Sequence, residues 1–410
     1  MRRVSCLAVL ALLVCAGAQT AEITVDDFSF EGPLGSEGAT IEKLGKNHFR
    51  VELGHAPEHP DWNNKLQFTL LRHAKGNPLT LEVVFEAGRK KHYTLNEYAQ
   101  SYSYDGTTWY PVHWKLGRAK TWKRDVLVFP VFKEDRVYVG HQVPMSYEDV
   151  VRIVSEWEKS PFAEVHVLGK SLGGRNIYRV EMTSPESDVP RKRRWAHYFA
   201  NQHPGEHNSQ WRMVGMGEWL LSEAGRDCLR RSICHFVLMS SPDAPSHGWY
   251  RVNAQGVDMN RSYFPEGADK EKQAHEAYIV QRDLEQLMAS EAPPVTVWSM
   301  HTWGGLVDPR IIPGPEMGDS VGTWQEMAER MEENDQGNLV DKMQEQPCKE
   351  SSGNHWTEGP HLQFGVTAVL CEGAGAIYTK EENKASGVVL MKTIAEHYAG
   401  GRDKRVSSPS

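Results

Sequence analysis

Several features that would assign a function class are scarce in this sequence of 410 residues. It has only six cysteines and no C-x-x-C pair, so the usual short signature of a redox or cysteine zinc motif is absent. Its formal net charge is -8, which argues against nucleic acid as a partner. No apolar run approaches the roughly 20 residues that a membrane span requires, so we expect a soluble mature protein.

The amino terminus has the pattern of an export signal. Arg2 and Arg3 precede an apolar run over residues 7–14, and the small residues Ala16-Gly17-Ala18 follow it. A charged segment, a short apolar segment and an A-x-A site are typical of a signal peptide that is removed after export. The sequence therefore predicts a signal peptide over residues 1–18, cleavage near Ala18, and a periplasmic or extracellular protein.

Four cysteines remain once that segment is removed: Cys228, Cys234, Cys348 and Cys371. An even number in an exported protein permits disulfides, and Cys228 with Cys234 would be the most local pair. Three connectivities are open, and the sequence does not choose among them.

Residues 22–144 alternate between apolar and polar side chains without a helical period. Phe49, Val51 and Leu53 have polar neighbours, and the pattern recurs over residues 66–70, 79–83 and 126–131. Short alternating strands with turn signals predict an antiparallel β-sandwich domain. This region shows no metal-ligand cluster. Its aromatic residues favour packing over a carbohydrate-binding face, although both are open; they include Trp109, Tyr110, Trp114 and Trp122.

Residues 145–400 mix strand and helix patterns. Ser146 followed by Asp149 is a capping box that predicts a helix over residues 147–159, and further helices are predicted up to Ala224 and over residues 268–290 and 387–399. The predicted strands cover residues 164–168, 176–182, 195–200, 233–239, 295–300 and 366–371. This pattern indicates an α/β domain, followed by a polar tail, residues 401–410, that we predict to be disordered.

Polar side chains follow the ends of four of these strands. His203, the Pro242-Asp243 loop, His301 and Glu372 each come just after or at the end of a predicted strand. Ligands bind outside the carboxyl ends of strands in open α/β sheets, and parallel neighbours would bring the four ends to one rim. The positions therefore predict one site at that rim.

Two metal-type ligands lie in a single turn, because His203 and Glu206 are spaced as H-x-x-E around Pro204-Gly205. Imidazole and carboxylate are ordinary zinc ligands, and a catalytic zinc site takes three protein ligands. His301 would be the third, and Glu372 a carboxylate free to hold water. Alone, H-x-x-E is weak evidence, because a chain with 18 His and 54 acidic residues contains this spacing by chance, and an ordinary surface or core histidine would give the same letters.

Four motifs follow one another along the chain: His-Pro-Gly-Glu at 203–206, Trp-Tyr-Arg at 249–251 with Gly-Val-Asp-Met-Asn-Arg at 256–261, Ser-Met-His at 299–301, and Leu-Cys-Glu at 370–372. In these motifs and their order the chain resembles the zinc metallocarboxypeptidases, in particular the cytosolic-carboxypeptidase-like branch that includes tubulin deglutamylases. The resemblance implies a mixed central sheet flanked by helices, preceded by the β-sandwich.

The resemblance also implies roles for seven residues and one Zn²⁺ per chain. His203, Glu206 and His301 would bind the zinc, and Glu372 would be the general base. Arg251 would polarise the scissile carbonyl, while Asn260 and Arg261 would hold the terminal carboxylate of the substrate. These chemistries suit the residue types, because arginine forms bidentate pairs with carboxylates and a carboxylate can accept a proton from water.

One family feature is missing, since no tyrosine lies between Tyr278 and Tyr378. The family places a mobile tyrosine over the substrate in this part of the chain. His355 or Trp356 could cover the pocket instead, and a plain loop role for them is equally open.

The sequence thus predicts an exported zinc carboxypeptidase that cleaves the C-terminal peptide bond of a peptide or protein through a zinc-activated water. One alternative is an amidase or deacylase on the same scaffold, acting on a cell-wall peptide or an acylated amino acid. The other is a catalytically silent protein that binds a glycan or protein.

Overall fold

The structure is a computed structural model that describes residues 21–84, 100–112, 126–317, 323–373 and 379–400. The predicted signal peptide, the predicted disordered tail, Trp114 and Trp122 lie outside these ranges. Among the helices in the described ranges, none is both long enough and apolar enough to cross a membrane.

The first part of the chain, residues 21–141, is rich in strands, and we call it the β-rich region. Its strands are β1 Phe28–Ser29, β2 Thr40–Gly45, β3 His48–Glu52, β4 His55–Ala56, β5 His59–Asn63, β6 Phe68–Leu70, β7 Leu79–Val84, β8 Gln100–Ser103, β9 Trp109–Val112, β10 Val126–Phe129 and β11 Val137–His141. They form a sheet in the order β1-β6-β11-β8-β9, a second sheet in the order β10-β7-β3-β2, and the small hairpin β4-β5.

The two larger sheets bury one shared apolar core, because alternate residues of each strand point inward. Phe49 and Leu81 from one sheet and Phe68 and Val137 from the other belong to this core and are fully or almost fully buried. The sandwich was predicted to be antiparallel, and one pair departs from this: β3 and β7 are parallel, with Phe49 beside Leu81. Alternation of side chains does not report strand direction, so the sequence could not reveal this pair.

The described residues after His141 form an eight-stranded sheet with helices on both faces, which we call the α/β region. Its strands are β12 Ala163–Lys170, β13 Asn176–Met182, β14 Trp195–Asn201, β15 Ser232–Val237, β16 Pro294–Met300, β17 Asp308–Ile312, β18 Gln344–Glu345 and β19 Thr367–Glu372. Their order is β12-β13-β15-β14-β16-β19-β17-β18. The four neighbours β15, β14, β16 and β19 are mutually parallel, and the sheet is otherwise mixed. The predicted fold class, a mixed α/β fold after a β-rich region, is confirmed.

The helices of this region are α1 Tyr147–Trp157, α2 His207–Leu221, α3 Glu223–Arg226, α4 Ala244–His247, α5 His275–Met288, α6 Thr323–Asn334, α7 Glu358–Phe364 and α8 Lys380–Gly400. Alternate residues of the central strands face opposite layers. Phe199 and Trp298 pack with α1, α2 and α8, whereas Tyr198 and Val297 pack with α5. Helices therefore cover both faces of the central strands.

The predicted helices are present at the predicted positions, but several begin or end at other residues than predicted. The capping box forms as predicted, with the Ser146 side chain accepting a hydrogen bond from the Asp149 amide at the start of α1. The helix predicted from Ala268 begins only at His275, because residues before it form a turn in which the Ala268 amide donates to Glu285 Oε1 at 2.7 Å. The helix predicted to reach Ala224 ends at Leu221, and α8 begins at Lys380, ahead of the predicted start.

Cysteine pairing and aromatic packing were open questions. Cys228, Cys234, Cys348 and Cys371 are all free thiols, so the structure contains no disulfide among them. Trp109 is partly buried and packs against the core of the α/β region. That position fits a packing role for this tryptophan.

Candidate metal centre and active site

The site lies at the rim where the parallel strands end. His203 follows β14, His301 follows β16 directly, and Glu372 is the last residue of β19. The amide of His301 donates to the Cys371 carbonyl at 2.9 Å, which ties the ends of β16 and β19 together. The parallel arrangement thus brings three of the four predicted strand ends into one place.

The fourth strand end serves another purpose. Asp243 lies beyond β15, and its carboxylate accepts hydrogen bonds from Ser171 Oγ at 2.9 Å, the Gly173 amide at 2.8 Å and Arg175 Nη1 at 2.8 Å. It therefore fixes the turn between β12 and β13 and is not part of the cluster at the rim.

Three buried side chains converge at this rim. The Nδ1 atom of His203 lies 2.8 Å from Glu206 Oε1, and the Nδ1 atom of His301 lies 2.8 Å from Glu206 Oε2. The two Nδ1 atoms are 3.0 Å apart. Among the described residues, His203, Glu206 and His301 form the one group of three or more His, Cys, Asp or Glu side chains whose ligand atoms are close enough to hold a metal ion.

The far nitrogens of both imidazoles are held by the protein. His203 Nε2 lies 3.0 Å from the Asp258 carboxylate, and His301 Nε2 lies 2.9 Å from Ser299 Oγ. The Ser299 hydroxyl itself donates to Gln202 Oε1 at 2.8 Å, so it accepts from His301. Each Nε2 therefore carries the hydrogen of a neutral ring, and each Nδ1 presents a lone pair to the centre.

This donor set fits a cation. Two imidazole lone pairs and a carboxylate face one another with no hydrogen between them, and a divalent metal satisfies all three. Burial and Arg251 lower the pKa of His203, but the carboxylates of Glu206 and Asp258 outweigh them and raise it above its ordinary value. Burial lowers the pKa of His301 to about 4, so that ring is neutral at pH 7.

The turn between His203 and Glu206 packs closely against the backbone of Tyr250. The Gly205 amide donates to the Tyr250 carbonyl at 2.8 Å. A side chain at this position would place its Cβ only 2.6 Å from the Tyr250 Cα atom, closer than carbon atoms can pack. Glycine is therefore required here, and the turn is pressed against the segment that carries Arg251.

Glu372 has the properties of a group that exchanges protons near neutral pH. Burial raises its pKa to about 7, the Glu206 carboxylate adds to this effect, and His203, Arg251 and Arg212 oppose it. A carboxyl group poised in this way can accept and return a proton, as general acid–base catalysis requires.

Arg251 and Asp258 form a second layer beside the cluster. Arg251 Nε donates to Asp258 Oδ2, while the other oxygen of Asp258 bonds His203. Although burial raises the pKa of Asp258, His203 and Arg251 lower it well below its usual range. Asp258 therefore stays ionised and couples the predicted carbonyl-polarising arginine to a predicted zinc ligand.

Asn260 and Arg261 follow on the same segment. Asn260 is buried, and its Oδ1 accepts from the Trp356 amide at 2.8 Å, which fixes the side-chain amide and leaves its Nδ2 as a donor. Arg261 is exposed, and Nη1 donates to the Asn260 carbonyl at 2.8 Å. In the part of the chain that the structure describes, Arg261 forms no ion pair. The Asn260 amide donor and an exposed guanidinium that has no ion pair with any described residue are thus adjacent.

The suggested replacement for the mobile tyrosine is wrong for Trp356. Its side chain is 1% exposed and packs at right angles to Tyr263, with 5.1 Å between the ring centres. A side chain in the core cannot move over a substrate. His355 is partly exposed, and its Nδ1 lies 3.6 Å from the Glu358 carboxylate.

Two residues at this site, Asp258 and Arg212, had no predicted role. Asp258 belongs to the Gly-Val-Asp-Met-Asn-Arg motif at 256–261, but no role was predicted for it. Its position two residues before Asn260 was the sequence signal that could have pointed to it. Arg212 is fully buried on α2, and its guanidinium donates to the carbonyls of Gly373 at 2.8 Å and Cys371 at 3.3 Å. Nothing in the local sequence indicates that this helical arginine braces the strand end that carries Glu372.

Comparisons with known proteins agree with this geometry. Residues 155–299 match the family described as zinc carboxypeptidase. Over this segment the chain is similar to a zinc carboxypeptidase domain. The segment includes the turn with His203 and Glu206 and ends just before His301, and the family implies a zinc cofactor, which the donor set fits.

Cytosolic carboxypeptidases are similar over part of this chain. Cytosolic carboxypeptidase 2 of Danio rerio is 28% identical over 186 residues, which are 43% of this chain and 24% of that protein. Cytosolic carboxypeptidase 2 of Xenopus tropicalis is 30% identical over 183 residues, 43% of this chain and 18% of that protein. The chain thus matches a quarter or less of the length of these relatives.

The fold extends further than the sequence similarity. A metallo-carboxypeptidase from Burkholderia cenocepacia superposes with a TM-score of 0.69 at 18% identity, covering 91% of this chain and 98% of that structure. At this identity the likeness concerns the fold alone. The superposition extends beyond residues 155–299, which match the zinc carboxypeptidase family, into most of the β-rich region.

Proposed function

We propose that this chain is a zinc-dependent metallocarboxypeptidase that hydrolyses the C-terminal peptide bond of peptides or proteins. The observation that carries the proposal is the cluster of His203, Glu206 and His301 at the same rim as the partly buried carboxyl group of Glu372, whose pKa is raised to about 7. Three protein ligands define an open catalytic site, so we propose one zinc ion per chain.

Each predicted residue has a chemical task in this reaction. Bound zinc would supply a Lewis acid that polarises the peptide carbonyl and makes water acidic. Glu372 takes a proton from water and later returns it to the leaving amine. Arg251 donates to the carbonyl oxygen as negative charge develops on it.

Recognition of a free C terminus would fall to Asn260 and Arg261. The Nδ2 group of Asn260 is a fixed donor, and Arg261 is an exposed cation that lacks an ion pair with any described residue. A guanidinium and an amide can together bind a carboxylate, and a charge-assisted bond contributes about 1.5 to 3 kcal/mol. This pair supports exopeptidase action over the amidase or deacylase alternative, which has no need of a free carboxylate.

The experiment compares a peptide with a free C terminus and the same peptide as a C-terminal amide. We expect kcat/KM to fall by about 10- to 100-fold for the amide, since about 1.4 kcal/mol corresponds to one decade. The Arg261→Ala variant should be slow on the free peptide and should discriminate little between the two. Arg230→Ala, which removes an arginine 54% exposed at a distant surface ion pair, is the matched control and should retain full discrimination.

Equal rates on both peptides with the unmodified enzyme would reject carboxypeptidase action in favour of an amidase. Absence of turnover in a zinc-loaded protein on a varied peptide library would favour the silent binding protein. That library would also report which C-terminal residue is released.

We also propose that the protein is exported after removal of residues 1–18. Arg2, Arg3 and the apolar run over residues 7–14 support this. Amino-terminal sequencing of the protein from its native cells should find a chain that begins just after Ala18. A chain that retains Arg2 and Arg3 would overturn the proposal.

A further inference from the structure

A lysine of the β-rich region reaches the residue beside a candidate zinc ligand. Lys65 lies between β5 and β6, and its Nζ atom is 2.7 Å from Nε2 of His207. His207 is the first residue of α2 and directly follows Glu206. The contact therefore joins the β-rich region to the turn that carries His203 and Glu206.

Lys65 is buried at a cost to the fold. The residue is 3% exposed, and among the described residues no carboxylate forms an ion pair with it. Burial lowers its pKa to about 7. The titratable groups that interact with it are His141 and His207, whose own pKa values burial and Lys65 lower well below the ordinary value. An amine buried without a carboxylate destabilises a protein, and an apolar side chain would cost less at this position.

The lysine is linked to the ligand turn by a series of hydrogen bonds. His207 Nδ1 lies 3.0 Å from Gln210 Oε1, an atom that can only accept, so Nδ1 carries the hydrogen and Nε2 accepts from Lys65. Gln210 Nε2 donates to Asn201 Oδ1 at 3.1 Å and to the Pro204 carbonyl at 3.3 Å. Pro204 lies inside the turn between His203 and Glu206, so the series ends on the backbone that sets the distance between these two ligands.

The backbone around Lys65 is fixed to the α/β region as well. The Lys65 amide donates to the Gly248 carbonyl at 2.8 Å, and the Glu37 amide donates to the His247 carbonyl at 2.9 Å. These bonds hold the segment that leads into Arg251. The side chain of Lys65 thus extends from a backbone that hydrogen bonds hold in place.

We propose that Lys65 is a positioning residue, through which the β-rich region holds the turn that carries His203 and Glu206. The inference rests on the proposed function for its assignment of these two residues as zinc ligands. It gives the β-rich region a part in building the metal site. It also explains why the fold retains a costly buried amine, since protein groups outside the ligand sphere tune metal affinity by about 10- to 100-fold.

The experiment uses Lys65→Met in the full chain, because methionine has a similar length and no charge. Three quantities are measured: zinc affinity by competition with a chelator, the Tm of the metal-free protein, and kcat/KM on a peptide. Lys75→Met is the matched control, since Lys75 belongs to the same region and its side chain is 61% exposed. We expect Lys65→Met to lose about tenfold in zinc affinity while the Tm of the metal-free protein is unchanged or higher.

Two outcomes would overturn the proposal. One is unchanged zinc affinity in Lys65→Met. The other is a Tm of the metal-free protein that falls in step with the zinc affinity, which is the signature of a merely structural lysine. The control variant should match the unmodified protein in all three quantities.

The series of hydrogen bonds from Lys65 through His207 is tested by a double-mutant cycle, which compares the effect of Lys65→Met with and without the His207 side chain. The comparison also serves if one of the single variants folds poorly. In the His207→Phe background, Lys65→Met should cause little further loss of zinc affinity. Full, additive losses would show that the lysine does not act through the histidine. Because zinc affinity is measured without a peptide, a protein that binds zinc through this route and cleaves nothing would reject the proposed function and leave this inference standing.

Discussion

The β-rich region and the α/β region both bury the apolar faces of their strands, but they differ in where the carboxyl ends of the strands lie. In the β-rich region neighbouring strands mostly run antiparallel, so their carboxyl ends are divided between opposite edges of the sandwich. In the α/β region β15, β14, β16 and β19 run parallel, and their carboxyl ends share one rim. The second arrangement brings His203, His301 and Glu372, which are far apart in sequence, to one rim.

This difference separates the residues that maintain the fold from those that perform chemistry. A strand interior is specified by packing, whereas a strand end can carry a ligand or a base without disturbing the core. Substitutions in the two regions should therefore affect different properties. The expected effects range from loss of both metal and turnover to loss of stability alone.

The largest effect is expected from His301→Ala. Removing one of three ligands leaves His203 and Glu206, which are too few for a stable zinc site. We expect the purified variant to lose its metal and its activity together, as measured by elemental analysis and peptide hydrolysis. Substitution of His48, a histidine of β3 with a 38% exposed side chain, should change neither. Full zinc occupancy in His301→Ala would show that the ligand assignment is wrong.

A narrower effect is expected from Glu372→Gln. The amide keeps the volume of the side chain but cannot accept a proton, so turnover should fall by orders of magnitude while zinc content and Tm stay close to those of the unmodified protein. This variant separates metal binding from catalysis at the same rim. Near-normal hydrolysis by Glu372→Gln would reject the role of Glu372 as general base.

The sequence predicted the α/β region in useful detail because its signals are local. Six apolar runs predicted six strands that the structure contains, and the Ser146 capping box predicted the start of α1. The rim followed from one further rule, that ligands bind at the carboxyl ends of parallel strands. The convergence of His203, Glu206 and His301 could therefore be expected before any coordinates were known.

What could not be predicted depends on contacts between distant residues. The parallel pair β3 and β7 has the same alternation as an antiparallel pair. Arg212 looks like an ordinary helical arginine until the ends of β16 and β19 are placed beside it. Lys65 and His207 are separated by 142 positions, and no local pattern marks either as a partner of the other.

The smallest effect on the site is expected from Leu81→Ala in the core of the β-rich region. Leu81 is fully buried on β7, beside Phe49 of β3 and Leu127 of β10. A cavity at such a position typically lowers the free energy of unfolding by about 2 to 5 kcal/mol. The Tm should therefore fall, which calorimetry can measure. The control is Val128→Ala, at a residue that is 51% exposed on β10, and this substitution should change the free energy of unfolding by less than about 0.5 kcal/mol.

At temperatures below the unfolding transition, however, the zinc affinity and kcat/KM of Leu81→Ala should equal those of the unmodified protein. The reason is that the series of hydrogen bonds that links the β-rich region to the ligand turn starts at Lys65 and does not involve the sandwich core. If zinc affinity fell along with stability, the sandwich core would be mechanically coupled to the metal site, and the two regions would not be separable in the way their sheets suggest.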